Sequence, residues 1–183
     1  MSGNQHPSVT DAPVETSAAC PSGQAPVFEP VKGERSLLLH ICCGPCSIMP
    51  VKRLQDEGFT VTAWYMNPNI QPLTEYLRRR EAAEECAARL GIGLICQDDT
   101  WDLVAWLRSV AGRDLPPQRC AWCCGSRMQA AVAYAHANGY AHVSSSLVYS
   151  RYQPHDGIRA AAEEYARQYG VEFLYRDFRP NFR

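Results

Sequence analysis

From Ser36 onward, short apolar runs alternate with longer stretches of helical period, and this alternation constrains the fold more than any other feature of the chain. SLLLHI is a continuous apolar run of the kind that forms a strand covered on both faces, and FTVTAWYM, IGLIC, AHVSSSLV and VEFLYR follow as four further strands. Between them fall helical segments. The first covers roughly Ser47 to Glu57, with Pro50 in its first turn. TEYLRRREAAEECAARLG follows with Thr74 near its N-cap and Gly91 at its stop, then DDTWDLVAWLRSV, CAWCCGSRMQAAVAYAHANG and HDGIRAAAEEYARQYG. Strands alternating with helices predict one α/β domain over residues 35–183, in three layers: a mainly parallel five-stranded sheet wrapped by helices.

Such sheets collect ligands at the carboxyl ends of their strands. The chemically notable segments fall there: CCGPC after the first strand, NPN after the second, DD after the third and SLVYSRYQPH after the fourth. Residues 1–34 are rich in Pro, Ser, Thr and Gly and read as a disordered tail, with Cys20 inside it. The 183 residues suffice for one well-cored domain. No apolar run approaches the roughly 20 residues that span a bilayer, and the N-terminus lacks the basic and apolar regions of a secretory signal. A cytoplasmic location, with no membrane partner, is expected. The net charge of −1 gives no global pull toward nucleic acid, although all basic residues except Lys32 and Lys52 are arginines, whose forks suit phosphates and bases.

Nine cysteines are many for a chain of this length, and in a reducing compartment they point to metal binding or redox catalysis rather than structural disulfides. Cys42, Cys43 and Cys46 crowd a strand-to-helix turn, where backbone N–H groups and the helix dipole favour thiolates. Cys120-x-x-Cys123 supplies a second pair at a loop-to-helix junction. Cys42, Cys43, Cys120 and Cys123 together offer four ligands from two loops, a set that suits an iron–sulfur cluster or a structural zinc ion. Structural zinc sites sit mostly in knuckles that need the metal to fold, whereas this domain should have its own core. A dithiol oxidoreductase built on Cys43-x-x-Cys46 is a third reading, and it leaves Cys120 and Cys123 unexplained. Cys86 and Cys96 read as core residues, and Cys124 as a spare or packing thiol.

Other candidates are less specific. Asp99 follows the third strand as a proton donor or, with Asp98, as a helix-capping acid. Asn67 and Asn69 suit hydrogen bonding to a substrate, but NPN is equally a turn signal. Tyr76 and Arg80, in a basic and aromatic helix, suit contact with a nucleobase, although Arg78, Arg79 and Arg80 lie among glutamates that can pair with them. His40 lies inside an apolar strand, as a core histidine would. Arg151 belongs to a polar, aromatic loop after the fourth strand, fit for a polar ligand. No phosphate-cradling glycine motif is present.

Taken together, LLLHICCGPCS, YMNPNIQPLTEYLRRR, RCAWCCGSRM, SSSLVYSRYQPHDGI and YGVEFLYRDFR resemble the cobalamin-independent epoxyqueuosine reductase family, QueH, from about Ser36 to Arg183. The resemblance implies a Rossmann-like, nucleotide-hydrolase-like fold and the last step of queuosine synthesis, in which two electrons remove the epoxide oxygen of epoxyqueuosine at the tRNA wobble position. It implies a 4Fe-4S cluster on the cysteines at positions 42, 43, 120 and 123, with a further mononuclear iron nearby, tRNA as the partner, and an electron donor that the sequence does not name. Asp99 and Cys46 are the catalytic candidates under this reading. Family members usually continue past the DFRP-like segment to a Tyr-Cys-Gly-Cys stretch, whereas this chain stops at Arg183. Cys124 stands where the family generally has an aromatic residue, and with Cys46 it is a candidate to replace that pair.

Overall fold

The computed structural model describes residues 32–113 and 115–182. The tail expected over residues 1–34, with Cys20, falls outside the described residues up to position 31. Thereafter the chain forms β1 (Gly33–Ile41), α1 (Gly44–Asp56), β2 (Thr60–Tyr65), α2 (Leu73–Leu90), β3 (Gly93–Cys96), α3 (Leu103–Ser109), α4 (Gln118–Ala137), β4 (Tyr140–Ser145), α5 (His155–Tyr169) and β5 (Glu172–Phe173). Short 3-10 turns cover Asp98–Thr100, Ser146–Tyr149 and Arg179–Asn181. Gly33 and Glu34, assigned to the tail from sequence, are the first residues of β1.

All four strand pairings are parallel, in the order β3-β2-β1-β4-β5. From β1 the chain winds outward to β2 and β3, then crosses back to place β4 on the other flank of β1. Period-2 alternation sends Leu37, Leu39 and Ile41 into a core with Val51 and Leu54 of α1 and Tyr76 and Ala83 of α2. Leu38, with Trp64, Tyr140 and Val143, faces Ala131, Val132 and Ala135 of α4 and Ala166 of α5. Leu37, Leu38 and Leu39 are fully buried, and each such side chain stabilises the fold by roughly 1.5–3 kcal/mol.

Several local expectations shift. α1 begins at Gly44, three residues early, so Pro45 takes the first turn and Pro50 lies inside the helix. The early start arises because Ser47 Oγ donates to Gly44 O at 2.6 Å and Gly44 fits tightly under α2. Pro72, rather than Thr74, precedes α2. The third helical segment splits into a 3-10 turn and a short α3, with Asp102 Oδ1 capping Ala105 N–H at 2.9 Å. β4 ends at Ser145, where its hydroxyl accepts from Leu147 N–H and turns the chain, so residues 146–148 are not strand. Among the described residues no helix is long and apolar enough to cross a membrane.

Candidate functional site

The return of the chain to β4 makes the boundary between β1 and β4 the switch point of the sheet, and the crevice beyond their carboxyl ends is where ligands bind in such folds. Cys42 leaves β1 at this point and Ser146 leaves β4. They meet: Cys42 N–H donates to Ser146 Oγ at 3.2 Å, and the Ser146 hydroxyl faces Cys42 Sγ at 3.8 Å.

The sulfurs of Cys42, Cys43 and Cys46 lie within 4.8 Å of one another. Cys43 is the N-cap of α1 and Cys46 stands three residues on, the spacing at which cap and N3 side chains face each other. Hydrogen bonding with Cys43 and Cys46 holds the Cys42 thiol well below its usual pKa, against the opposing effect of burial, with help from Ser146. The same contact with Cys42 pushes Cys43 up to about 11 and raises Cys46 further. Negative charge is thereby concentrated on Cys42, at the positive end of a helix.

His40, the residue before Ile41, is fully buried and anchors this corner. Its Nε2–H must donate to Met66 O at 3.2 Å, since a carbonyl only accepts, so Nδ1 accepts from the Ser145 hydroxyl at 2.9 Å. Burial, with the positive charge of Arg127, lowers its pKa from 6.5 to about 4. The unfolded chain therefore takes up a proton below about pH 6.5 that the folded chain refuses until about pH 4. His40 contributes full stability above that upper value and loses about 3 kcal/mol as the pH falls across the window. Urea unfolding at stepped pH should show a shallower acid slope for His40→Asn than for the unmodified chain; equal slopes would refute this role.

α4 precedes a parallel strand, so it starts at the carboxyl edge of the sheet and carries Cys120 and Cys123 there in its first turns. Its Arg127 is only 5% exposed, donates to Cys123 O at 2.8 Å and faces Cys124 Sγ at 3.7 Å. Among the described residues it pairs with no carboxylate, and its charge acts on His40. A buried cation without an acid is costly unless an anion sits nearby. Cys120 and Cys123 are not in the 4.8 Å group, whose third member is Cys46 instead. That span suits ligands of one ion; a cluster several ångströms across holds its thiolates farther apart. The described cysteines are all free thiols. Cys124 is buried, with Gln153 Oε1 3.9 Å away, and Cys86 is core, as expected of a packing thiol. Burial pushes Cys96, at the end of β3, up to about 12.

The remaining candidates separate into site and scaffold. Tyr76 is buried against Tyr65 and Trp101, and its hydroxyl donates to Asp98 at 2.7 Å, so it cannot stack on a base. Arg80 grips the same carboxylate at 2.9 and 3.1 Å, and also pairs with Glu84. Both close the end of β3 instead of facing a substrate. Asp99 is exposed and accepts from Gln97 Nε2 at 2.8 Å. Asn67 is buried, donating to Ile41 O at 2.9 Å, while its Oδ1, Asn69 Oδ1 and Gln71 Oε1 are buried acceptors with no hydrogen-bond partner among the described residues. Arg151 is exposed, over the Phe182 ring. The sequence reading missed Ser145, Ser146 and Arg127. SSS and RM carry no chemical signature, and their roles arise only when β4 lies beside β1.

The family model for epoxyqueuosine reductase QueH matches residues 37–183. A protein named epoxyqueuosine reductase QueH from Dehalococcoides mccartyi is 35% identical over 146 residues, covering 80% of this chain and 79% of that one. Another of that name from Histophilus somni is 32% identical over 175 residues, covering 92% and 71%. Among solved structures, a predicted subunit of tRNA methyltransferase from Methanocaldococcus jannaschii superimposes with a TM-score of 0.50 at 12% identity, covering 78% of this chain and 69% of that chain, a likeness of fold alone.

Proposed function

Because the chain belongs to the epoxyqueuosine reductase QueH family, we infer that it is itself an epoxyqueuosine reductase, an oxidoreductase of queuosine biosynthesis. In this reading the substrate is epoxyqueuosine at the wobble position of a tRNA, which implies a cytoplasmic location. Two electrons and two protons remove the epoxide oxygen as water and leave the cyclopentene double bond of queuosine.

One observation supports a redox centre above all: three thiols within 4.8 Å at the switch point, with a buried arginine that no described carboxylate neutralises. Thiolates are the donors an iron–sulfur group requires, and in this reading Cys46 gives up its place in the set to Cys120 and Cys123. Cys42 and Cys43, with Cys120 and Cys123 from the head of α4, would hold a 4Fe-4S cluster. When bound, the cluster would supply electrons, and a further iron would act as a Lewis acid on the epoxide oxygen. The protein does the rest. Ser146 orients Cys42, neutral His40 fixes the β1–β4 corner through Ser145, and buried Arg127 would offset negative charge at the site. Cys46, beside Cys42 and Cys43 and outside the ligand set, would serve as the thiol that gives a proton to the departing oxygen. Asp99, exposed after β3, is the second candidate for proton delivery. Half-buried Asn69 would hydrogen-bond to the nucleoside at the β2 edge of the crevice, with buried Asn67 holding that turn through Ile41 O, and Arg151 lies on the β4 side.

A zinc-stabilised module is not favoured, since the buried strands supply the core. Nor is a protein dithiol reductase, which would leave the second cysteine pair without a role. The deciding measurement is iron and sulfide content after anoxic purification, followed by reaction of the reduced protein with epoxyqueuosine tRNA and mass spectrometry of the nucleosides. A brown protein that converts epoxyqueuosine to queuosine is expected. A colourless zinc protein that leaves the nucleoside intact would overturn the reading.

A further inference from the structure

Tyr152 is 88% exposed, the most open large hydrophobic side chain among the described residues, on the loop that follows β4. It does not stand alone. Its ring meets Phe182 edge-on at 5.9 Å, Tyr149 meets the same phenylalanine at 5.2 Å, and the Arg151 guanidinium lies 5.9 Å from that ring. The next residue, Gln153, turns inward to Cys124 on the cysteine helix, while Ser146 at the start of the same loop touches Cys42. One side of this loop thus faces the thiol site, and the other presents an aromatic surface with a cation on it.

We propose that Tyr152, with Arg151 and Phe182, is a stacking platform for an unpaired RNA base flanking the nucleotide that reacts at the thiols. The proposal rests on the tRNA reading above. An open aromatic face beside an arginine is the chemistry that holds single-stranded bases: the ring stacks on the base and the cation meets the backbone. Asp177 is tied to Arg179 at 2.7 and 2.8 Å, so it does not repel a phosphate as a free carboxylate would, which leaves Asp156, in the first turn of α5, as the exposed acid close in the chain to this loop. A wobble nucleoside lies in a loop of unpaired bases, so drawing it into the crevice between β1 and β4 brings its neighbours over this loop.

The test is fluorescence anisotropy of an anticodon stem-loop RNA and of a fully paired RNA duplex, using the complete chain. Tyr152→Ala should weaken stem-loop binding roughly 5- to 150-fold, the range that stacking one base on an aromatic ring spans. Tyr152→Trp should retain it, and the duplex should bind the unmodified chain and Tyr152→Ala alike. Because Tyr152 packs into no core, thermal unfolding should not change. Unaltered stem-loop affinity in Tyr152→Ala, or equal loss for loop and duplex, would overturn the platform and leave the tRNA reading standing. No RNA affinity in the unmodified chain would overturn both.

Discussion

Cys42→Ala should purify anoxically without iron or sulfide and should leave epoxyqueuosine tRNA unreacted, a loss of activity to background. Cys42 is where the two sides of the switch point join: Ser146 from β4 holds its backbone and faces its sulfur, and hydrogen bonding with Cys43 and Cys46 makes it the most acidic of the three thiols. Metals bind thiolates, so removing this one removes the thiol most readily ionised at the site. The companion variants decide which cysteines complete the set. If Cys120 and Cys123 are ligands, Cys123→Ala should lose iron as Cys42→Ala does, while Cys46→Ala keeps its iron and loses turnover. If the compact trio alone binds metal, Cys46→Ala should lose iron and Cys123→Ala should keep it. Full iron and sulfide in both Cys42→Ala and Cys123→Ala would rule out the cluster assignment.

Gly44→Ala should cost about 3 kcal/mol or more of stability and reduce iron content with it. A Cβ at this position would lie 2.1 Å from Ala82 O and 2.8 Å from Ala82 C, both backbone atoms of α2. A flexible side chain could move aside, but a helix backbone cannot. Relief requires α1 to shift away from α2, and Cys43 and Cys46 would move with its first turn. Gly125→Ala provides the contrast, since a Cβ there meets nothing within 4 Å, and alanine favours a helix interior by about 1 kcal/mol. Chemical denaturation of both variants would measure the difference; wild-type stability in Gly44→Ala would show that the helices are not in fixed contact.

Local patterns were enough to find the five strands, the helical segments between them and their order along the chain, though not the 3-10 turns that interrupt them. Apolar runs and helical periods are local patterns, read over a few residues, and the strand-then-helix alternation leaves a parallel sheet as the packing that buries both faces. The sequence also disclosed the cysteine-bearing loops and, through its motifs, the family. Tertiary structure decided the partners. His40 looked like a core residue and proved to be one, but its bonds to Ser145 and Met66 exist only because β4 and β2 flank β1. Tyr76 and Arg80 looked suited to nucleic acid, yet Asp98 claims both from the end of the neighbouring strand. Arg127 carries no mark in the sequence, and its burial with no carboxylate partner among the described residues arises only in the folded chain. Strand order joins residues more than a hundred positions apart, as it does Cys42 and Ser146, and no pattern with a period of two or four residues records which distant loops will share a crevice.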